Sequence, residues 1–402
     1  MFLLQIYSTF ILFIHPLENQ SLMKNLFHLL QIDWRFHDYK YALLGFLTAF
    51  IVTLITIPPV IALFKKFGVY DMPEARKVHT MPIPTLGGIT IIAGMMIALL
   101  LWFPFNKDPE QICFFFSLVV LTALGIMDDL RDLSASYKFM LQLALASLIA
   151  VSGIRITNFE GLFGLYQLPL FVQYSFTVLA IVGITNAFNL IDGIDGLAGS
   201  LGFMSLITLG IFLGLNHNSN SALIAFALAG GILAFLFFNF NPARIFMGDT
   251  GSLILGFSIA ILCIRLMQSS TNAVQPTLVH APMFTLGIVL IPVFDTLRVF
   301  ALRVWRGRSP FAADQTHIHH LLTRAGFSHA YTTRLICFIH GFILLEAFLM
   351  QGMKQELVLA LLIFFMITMT IIFKNLSAMH SGKKSIFISF FQLFSGSLPG
   401  KE

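Results

Sequence analysis

From Tyr41 onward, long apolar runs alternate with short polar stretches. A bilayer core needs about 20 apolar residues per helix. Eleven such runs lie near 41–63, 87–105, 111–127, 138–154, 171–187, 200–215, 221–240, 251–269, 282–300, 332–350 and 355–373. The pattern predicts an all-α, polytopic integral membrane protein with about eleven transmembrane helices in residues 41–373. Residues 1–40 read as an N-terminal extension outside that fold, and 374–402 as a tail. Met1 to Ile14 is apolar but lacks a basic start and a small-residue cleavage site, so no cleavable signal is read there. Met23 is an alternative start.

Composition sharpens this picture. Of 402 residues, 57% are hydrophobic and 11% charged, whereas soluble domains carry about 25% charged residues. An ordinary wetted surface is therefore excluded. Cys113, Cys263 and Cys337 all fall inside apolar runs without metal or disulfide spacing, and read as small core or lipid-facing residues.

Charge gives the runs a direction. Seventeen of the 24 Lys and Arg fall in loops after odd-numbered spans and in the tail, against 7 elsewhere. The basic face is cytoplasmic by the positive-inside rule, which puts the N-terminus outside and the C-terminus inside. Asp71, Glu74, Asp128, Asp129, Asp132, Asp192, Asp195, Asp249, Asp295 and Asp314 lie in or beside the same loops. The rule does not call for acids there, so a site is expected on that face. The outer loops, such as "NHNSN" at 216–220, look short and plain.

Five inner stretches carry the candidate chemistry. In "DMPEARKVHTMPIPTLGGI" prolines hold the chain extended and Gly87-Gly88 allow a tight turn. Arg76, Lys77 and His79 there either face an anionic ligand or belong to a stiff connector. In "GIMDDLRDLSASYKFM" Asp128 and Asp129 sit at a helix C-terminus, where acids oppose the macrodipole unless a cation offsets them. A solvated acidic loop is the plain reading. A magnesium or phosphate site is the functional one, with Lys138 reaching the same phosphates. In "ITNAFNLIDGIDGLAGS" Asn186, Asn189, Asp192 and Asp195 recur every three residues, and Gly193 and Gly196 let backbone approach a ligand. In "FNFNPARIFMGDTGSLILG" Asp249 opens a helix whose free N–H groups favour an anion, and it either caps the helix or holds a cation. In "RVWRGRSPFAADQTHIHHLLTRAGFSH" Arg303, Arg306 and Arg308 form a basic run ahead of His317, His319 and His320. Zinc wants three or four suitably spaced N or S ligands. Adjacent His319 and His320 are expected to diverge on a helix, so phosphate binding or substrate orientation is preferred.

In this order and on this face, "DMPEARKVHTMPIPTLGG", "DDLRDL", "NAFNLIDGIDGLAG", "FMGDTGSL" and "DQTHIHHLLTRAGFS" resemble the polyprenyl-phosphate N-acetylhexosamine-1-phosphate transferases. The closer resemblance is to their bacterial undecaprenyl-phosphate N-acetylglucosaminyl 1-phosphate transferase branch, from about Tyr41 to Phe373. The resemblance implies transfer of a sugar 1-phosphate from a UDP-N-acetyl-sugar donor to undecaprenyl phosphate at the bacterial inner membrane, with release of UMP and with magnesium (or manganese) as cofactor. It implies Asp249 as a metal ligand with Asn189 close by, and Asp128 and Asp129 at the lipid phosphate or as base. Asp192 and Asp195 would line the uridine side, with His317, His319 and His320 near the donor diphosphate. Catalytic candidates are thus Asp128, Asp129, Asp192, Asp195 and His317. His79, Lys138, Asn186, Asn189, His319, His320 and Arg303 complete the substrate contacts. The peptidoglycan branch typically has T-P-T-M-G-G and a histidine triplet, whereas "IPTLGG" and "HIHH" here favour N-acetylglucosamine. Fucosamine- or quinovosamine-type donors stay open, as does a covalent aspartyl-phosphate route beside direct attack. Expected partners are the two substrates and membrane lipids, with a homodimer as a candidate assembly and no nucleic acid. The product would start a cell-surface glycan such as O-antigen.

Two other classes fit this pattern less well. A transporter would place binding groups near the midplane on broken helices, and only Arg265 and Glu346 are candidates for mid-depth charge. A CDP-alcohol phosphotransferase would need a D-G-x-x-A-R pattern, which neither Asp192 nor Asp195 begins.

Overall fold

The computed structural model describes residues 36–67, 83–131, 133–272, 277–309 and 316–380. His79, the other polar residues of 71–82, Asp132 and Asp314 lie outside the described residues, as do the two candidate starts and most of the tail. The described helices are α1 (Phe36–Phe67), α2 (Gly87–Trp102), α3 (Pro109–Arg131), α4 (Ala135–Ser152), α5 (Leu170–Ile191), α6 (Leu197–Leu215) and α7 (Ser219–Asn239). They continue with α8 (Gly248–Asn272), α9 (Ala281–Trp305), the short α10 (Ile318–Arg324), α11 (His329–Leu349) and α12 (Gln355–His380). The chain is an all-α, multi-pass membrane protein.

Ten of these helices are long and apolar enough to cross a bilayer, and α2 is shorter, with 16 residues. That rises about 24 Å, against a hydrocarbon core of about 30 Å. Pro104 explains where it ends, because the residue before a proline is driven out of helical geometry. At the other end the chain is extended: Phe246 N–H donates to the Pro84 carbonyl, and Gly87 and Gly88 N–H donate to Phe246 and Met247. Gly88 is required there, since a Cβ would overlap the Gly251 backbone of α8.

α6, α7 and α8 are mostly enclosed by protein, whereas α1, α4 and α12 turn most of their surface outward. A helix apolar all round belongs in such a centre. Small residues let backbones close in, as where Gly125 of α3 abuts Thr250 of α8.

Two groups of polar contacts mark the two ends of the bundle. At one, the end of α3, the start of α4, the end of α5 and the start of α8 are joined through Asp128, Lys138, Asn189 and Asp249. At the other, Asn216 closing α6 meets Ser270 of α8 and Thr277, and His280 before α9 meets Gln351 after α11. Arg265 belongs to this second end rather than to the midplane, paired with Glu110 in the first turn of α3 at 2.6 Å.

One connection expected to be a plain outer loop carries a hairpin. Between α4 and α5 an antiparallel hairpin forms, β1 (Asn158–Leu162) and β2 (Leu165–Gln167). Its Glu160 carboxylate accepts from Ala281 N–H at 3.0 Å and Thr271 Oγ1 at 3.3 Å, and its carbonyl accepts from Gln355. Burial pushes Glu160 up from 4.5 to about 7, against those hydrogen bonds. A folded value above the unfolded one favours the folded state fully below about pH 4.5, and this is lost as pH rises through 7. Glu160→Gln is therefore expected to flatten the fall in melting temperature between those pH values. Unchanged pH dependence in detergent-solubilised variant would remove Glu160 as its source.

Candidate active site

The end of α3 places two carboxylates side by side, and the fold gives them different partners. Asp128 is buried. Its Oδ2 lies 2.6 Å from Lys138 Nζ and its Oδ1 accepts Leu133 N–H at 2.7 Å. Lys138, on the first turn of α4, also reaches Asp249 Oδ2 at 2.9 Å. Asn189 Nδ2 donates to Asp249 Oδ1 at 2.9 Å and to Ser252 Oγ at 3.0 Å. One ammonium thus joins two carboxylates contributed by α3 and α8, beside an amide from α5.

Asp129 points elsewhere. It accepts Asp249 N–H at 2.8 Å, Thr250 N–H at 3.1 Å and Thr250 Oγ1 at 2.6 Å. The N–H groups of α8, expected to await a ligand anion, are therefore occupied by a protein carboxylate. The physical reason is dipolar: the negative end of α3, which would repel its own acids, meets the positive end of α8. Gly248 makes the junction with left-handed φ of 70°, and a Cβ there would strike the Thr85 carbonyl and the Asp129 carboxylate.

The Asn186-to-Asp195 stretch divides similarly. Asn186 donates to buried Gln142 of α4 and to the Val182 carbonyl, tying α5 to α4 one turn deeper than Asn189. Asp195 Oδ2 accepts from Asn241 Nδ2 at 2.8 Å and Ala243 N–H at 3.2 Å, and its carbonyl accepts from Thr333 Oγ1. His329 Nδ1 lies 3.8 Å from Asp195, an electrostatic rather than a hydrogen-bonding distance. Burial raises Asp195, but these partners outweigh it and hold the carboxyl below its ordinary range. Its carboxylate secures the turn after α7.

Asp192, just past the end of α5, is different. Among the described residues no hydrogen bond or ion pair engages its carboxylate. Burial, then the charges of Asp249, Asp129 and Asp195, push it from 3.8 to about 7. The raised value means this carboxylate opposes folding as pH climbs above 4, and fully so above 7. Asp192→Asn is expected to melt higher than the parent at pH 8 in chelator, with the difference closing near pH 4. A variant that melts lower at pH 8 would show that Asp192 has a stabilising partner.

The histidine segment packs against this loop. His317 precedes α10, and its Nδ1 lies 2.9 Å from Asp295 Oδ2 of α9. His319 is 1% exposed with neither ring nitrogen partnered. Burial, then the neighbouring His320 charge, push it down to about 3, so it is neutral. Its ring lies against Gly193, where any Cβ would overlap Nε2. The expectation that His319 and His320 diverge is corrected: their ring centroids are 4.2 Å apart, and His317 stacks on His319 at 5.9 Å. His317 lies before the helix, so helical spacing does not place its ring, whereas His319 and His320 are adjacent residues of α10. Arg303 is buried at the last turn of α9, its guanidinium 5.6 Å from the Phe300 ring, while Arg306 and Arg308 are exposed.

The glycosyl transferase family 4 model matches residues 111–267. A probable undecaprenyl-phosphate N-acetylglucosaminyl 1-phosphate transferase of Bacillus subtilis (strain 168) is 33% identical over 300 residues, covering 73% of this chain and 82% of the relative. The undecaprenyl-phosphate alpha-N-acetylglucosaminyl 1-phosphate transferase of Salmonella typhi is 31% identical over 269 residues, 65% of this chain and 71% of the relative. That of Escherichia coli (strain K12) is 29% identical over 274 residues, 66% and 71%. This chain belongs to glycosyl transferase family 4.

The family 4 match spans Asp128, Asp129, Lys138, Asn189, Asp192 and Asp249, while the histidine segment lies beyond it. Magnesium takes one or two carboxylates plus substrate phosphate oxygens rather than a dedicated protein cage. The residues fit that demand: among the described residues Asp192 has an unpartnered carboxylate among three others, and Asp249 is engaged by a lysine and an amide beside the Asp128 carboxyl. Among the described residues no three-ligand His, Cys, Asp or Glu cluster forms. The Asn189 amide nitrogen, not its oxygen, faces Asp249, so this amide orients the carboxylate.

From the sequence, Gln142 and Thr250 carry no expected role, and Asp295 counts only among the acids of the basic face. Asp295 and Arg298 left a faint signal, opposite charges three apart in an otherwise apolar helix.

Proposed function

We propose that this protein transfers N-acetylglucosamine 1-phosphate from UDP-N-acetylglucosamine to undecaprenyl phosphate. The products are undecaprenyl-diphospho-N-acetylglucosamine and UMP. One observation carries the proposal: four elements bring Asp128, Lys138, Asn189 and Asp249 into one hydrogen-bonded cluster at the basic end of a membrane bundle. The lipid phosphate is anchored at headgroup depth and the donor is soluble, so the chemistry belongs at such an end.

An oxygen of the lipid phosphate attacks the phosphorus that carries the sugar. The bond from that phosphorus to the bridging oxygen breaks, and its electron pair leaves with UMP. No proton transfer is obligatory, because the attacking phosphate is ionised near neutrality. The work is bringing two polyanions together and neutralising charge. Lys138 offers an ammonium at the junction of α3, α4 and α8. The row formed by His317, His319 and His320 would flank the donor diphosphate. Magnesium, or manganese, held through Asp249 with Asp192 close by, would supply charge neutralisation for the leaving phosphate. Asp128 and Asp129 each have both oxygens engaged, which supports direct attack over an aspartyl-phosphate intermediate.

The excess of Lys and Arg on the same end supports a cytoplasm-facing site, an outside N-terminus and residence in the inner membrane. The product would initiate a cell-surface glycan such as O-antigen. The transporter reading gains nothing, because Arg265 is paired at the far end.

The test is purified protein in detergent with undecaprenyl phosphate, magnesium and a panel of UDP-sugars, read as UMP release. Release with UDP-N-acetylglucosamine is expected. Release only with another UDP-N-acetylhexosamine moves the donor, and silence with every sugar overturns the proposal.

A further inference from the structure

We propose that Asp295 is a positioning residue for the transfer, acting through His317; this rests on the function just stated. Asp295 is 1% exposed inside an apolar helix, an expensive place for a carboxylate unless its oxygens are fully used. They are. Oδ1 accepts Arg298 Nη2 at 2.7 Å and Ile318 N–H at 3.1 Å, and Oδ2 lies 2.9 Å from His317 Nδ1. Arg298 also donates to the Thr316 carbonyl. Two side chains one turn apart on α9 therefore hold the backbone on both sides of His317 as well as its ring.

The chemistry of the pair settles the tautomer. A carboxylate beside Arg298 is an acceptor, so Nδ1 carries the hydrogen and Nε2 is the ring atom left to meet a ligand. Among the described residues no protein group hydrogen-bonds His317 Nε2. The held ring stacks parallel to His319, whose own ring rests on Gly193 beside Asp192. Asp295 thus sets the place of the imidazole row relative to the carboxylate loop. It also leaves a negative charge behind His317 to stabilise an imidazolium when an anionic oxygen arrives at Nε2.

The experiment compares wild type, Asp295→Asn, Asp295→Glu, His317→Ala and the Asp295→Asn/His317→Ala double variant. UMP release is measured with saturating UDP-N-acetylglucosamine and undecaprenyl phosphate. Asp295→Asn is expected to lower kcat about 10–100-fold, the usual loss when the group behind a ligand-facing histidine is removed. Asp295→Glu should recover part of it, and the double variant should be no slower than His317→Ala alone. If the double variant loses the product of the two single effects, Asp295 does not act through His317 and the proposal fails. A second readout needs no turnover: nitrogen NMR of protein labelled with ¹⁵N-histidine, with His317 assigned by its loss in His317→Ala. A wild-type spectrum with hydrogen on Nδ1 supports the proposal. An unprotonated Nδ1 overturns it even where the transfer assay is silent.

Discussion

Asp249→Ala is expected to abolish UMP release while the protein still inserts and purifies. Asp249 is tied to three other elements: by Lys138 from α4, by Asn189 from α5, and by its own N–H to Asp129 at the end of α3. Removing the carboxylate leaves the last contact, which is backbone, and deletes the first two. The start of α8 should therefore stay in place while the charge-neutralising centre disappears. Lewis-acid assistance is worth several kcal/mol, and each 1.36 kcal/mol is tenfold in rate, so a loss of about 10³-fold or more is expected. Turnover within tenfold of the parent, under saturating magnesium, would take Asp249 out of the metal site.

Lys138→Met is expected to slow turnover about 10²–10³-fold, the usual cost of deleting one group aimed at transition-state charge. Its effect on magnesium should run the other way. Lys138 Nζ occupies Asp249 Oδ2 and Asp128 Oδ2 at 2.9 and 2.6 Å. Without the ammonium these oxygens are freed for a divalent ion, and the half-saturating magnesium concentration should fall even as kcat falls. A half-saturating concentration that rises would mean that Lys138 assists the metal instead of sharing its oxygens. Methionine keeps much of the apolar stem, so packing of the first turn of α4 is disturbed little.

The sequence singles out Asp249 as a metal ligand and Lys138 as a phosphate partner, but it does not show that the two pair with each other. Asp128 and Asp129 are adjacent and chemically identical, yet one meets an ammonium and the other the N-terminal amides of α8. Asn186 and Asn189 belong to one repeating pattern, yet the first braces α4 and the second braces Asp249. Asp195 shares its motif with Asp192 and is committed to the turn at Asn241 and Ala243. Asp295 reads from the sequence as one more acid near the basic end of a span, because its partners at 317 and 318 lie a whole loop away. The hairpin holding Glu160 is equally hard to see, being eight strand residues among twelve helices in the described residues.

The chain alone determined the spans, the end at which the polar motifs gather, and the reaction class that those motifs resemble. The spans and the end follow from transfer free energies and residue types, which add up locally along the sequence, and the reaction class from the resemblance of the ordered motifs. Only the tertiary structure decided which carboxylate is paired, capped or left without a partner. That choice is made within about 3 Å between residues as far apart in sequence as Lys138 and Asp249, and only helix packing sets such distances.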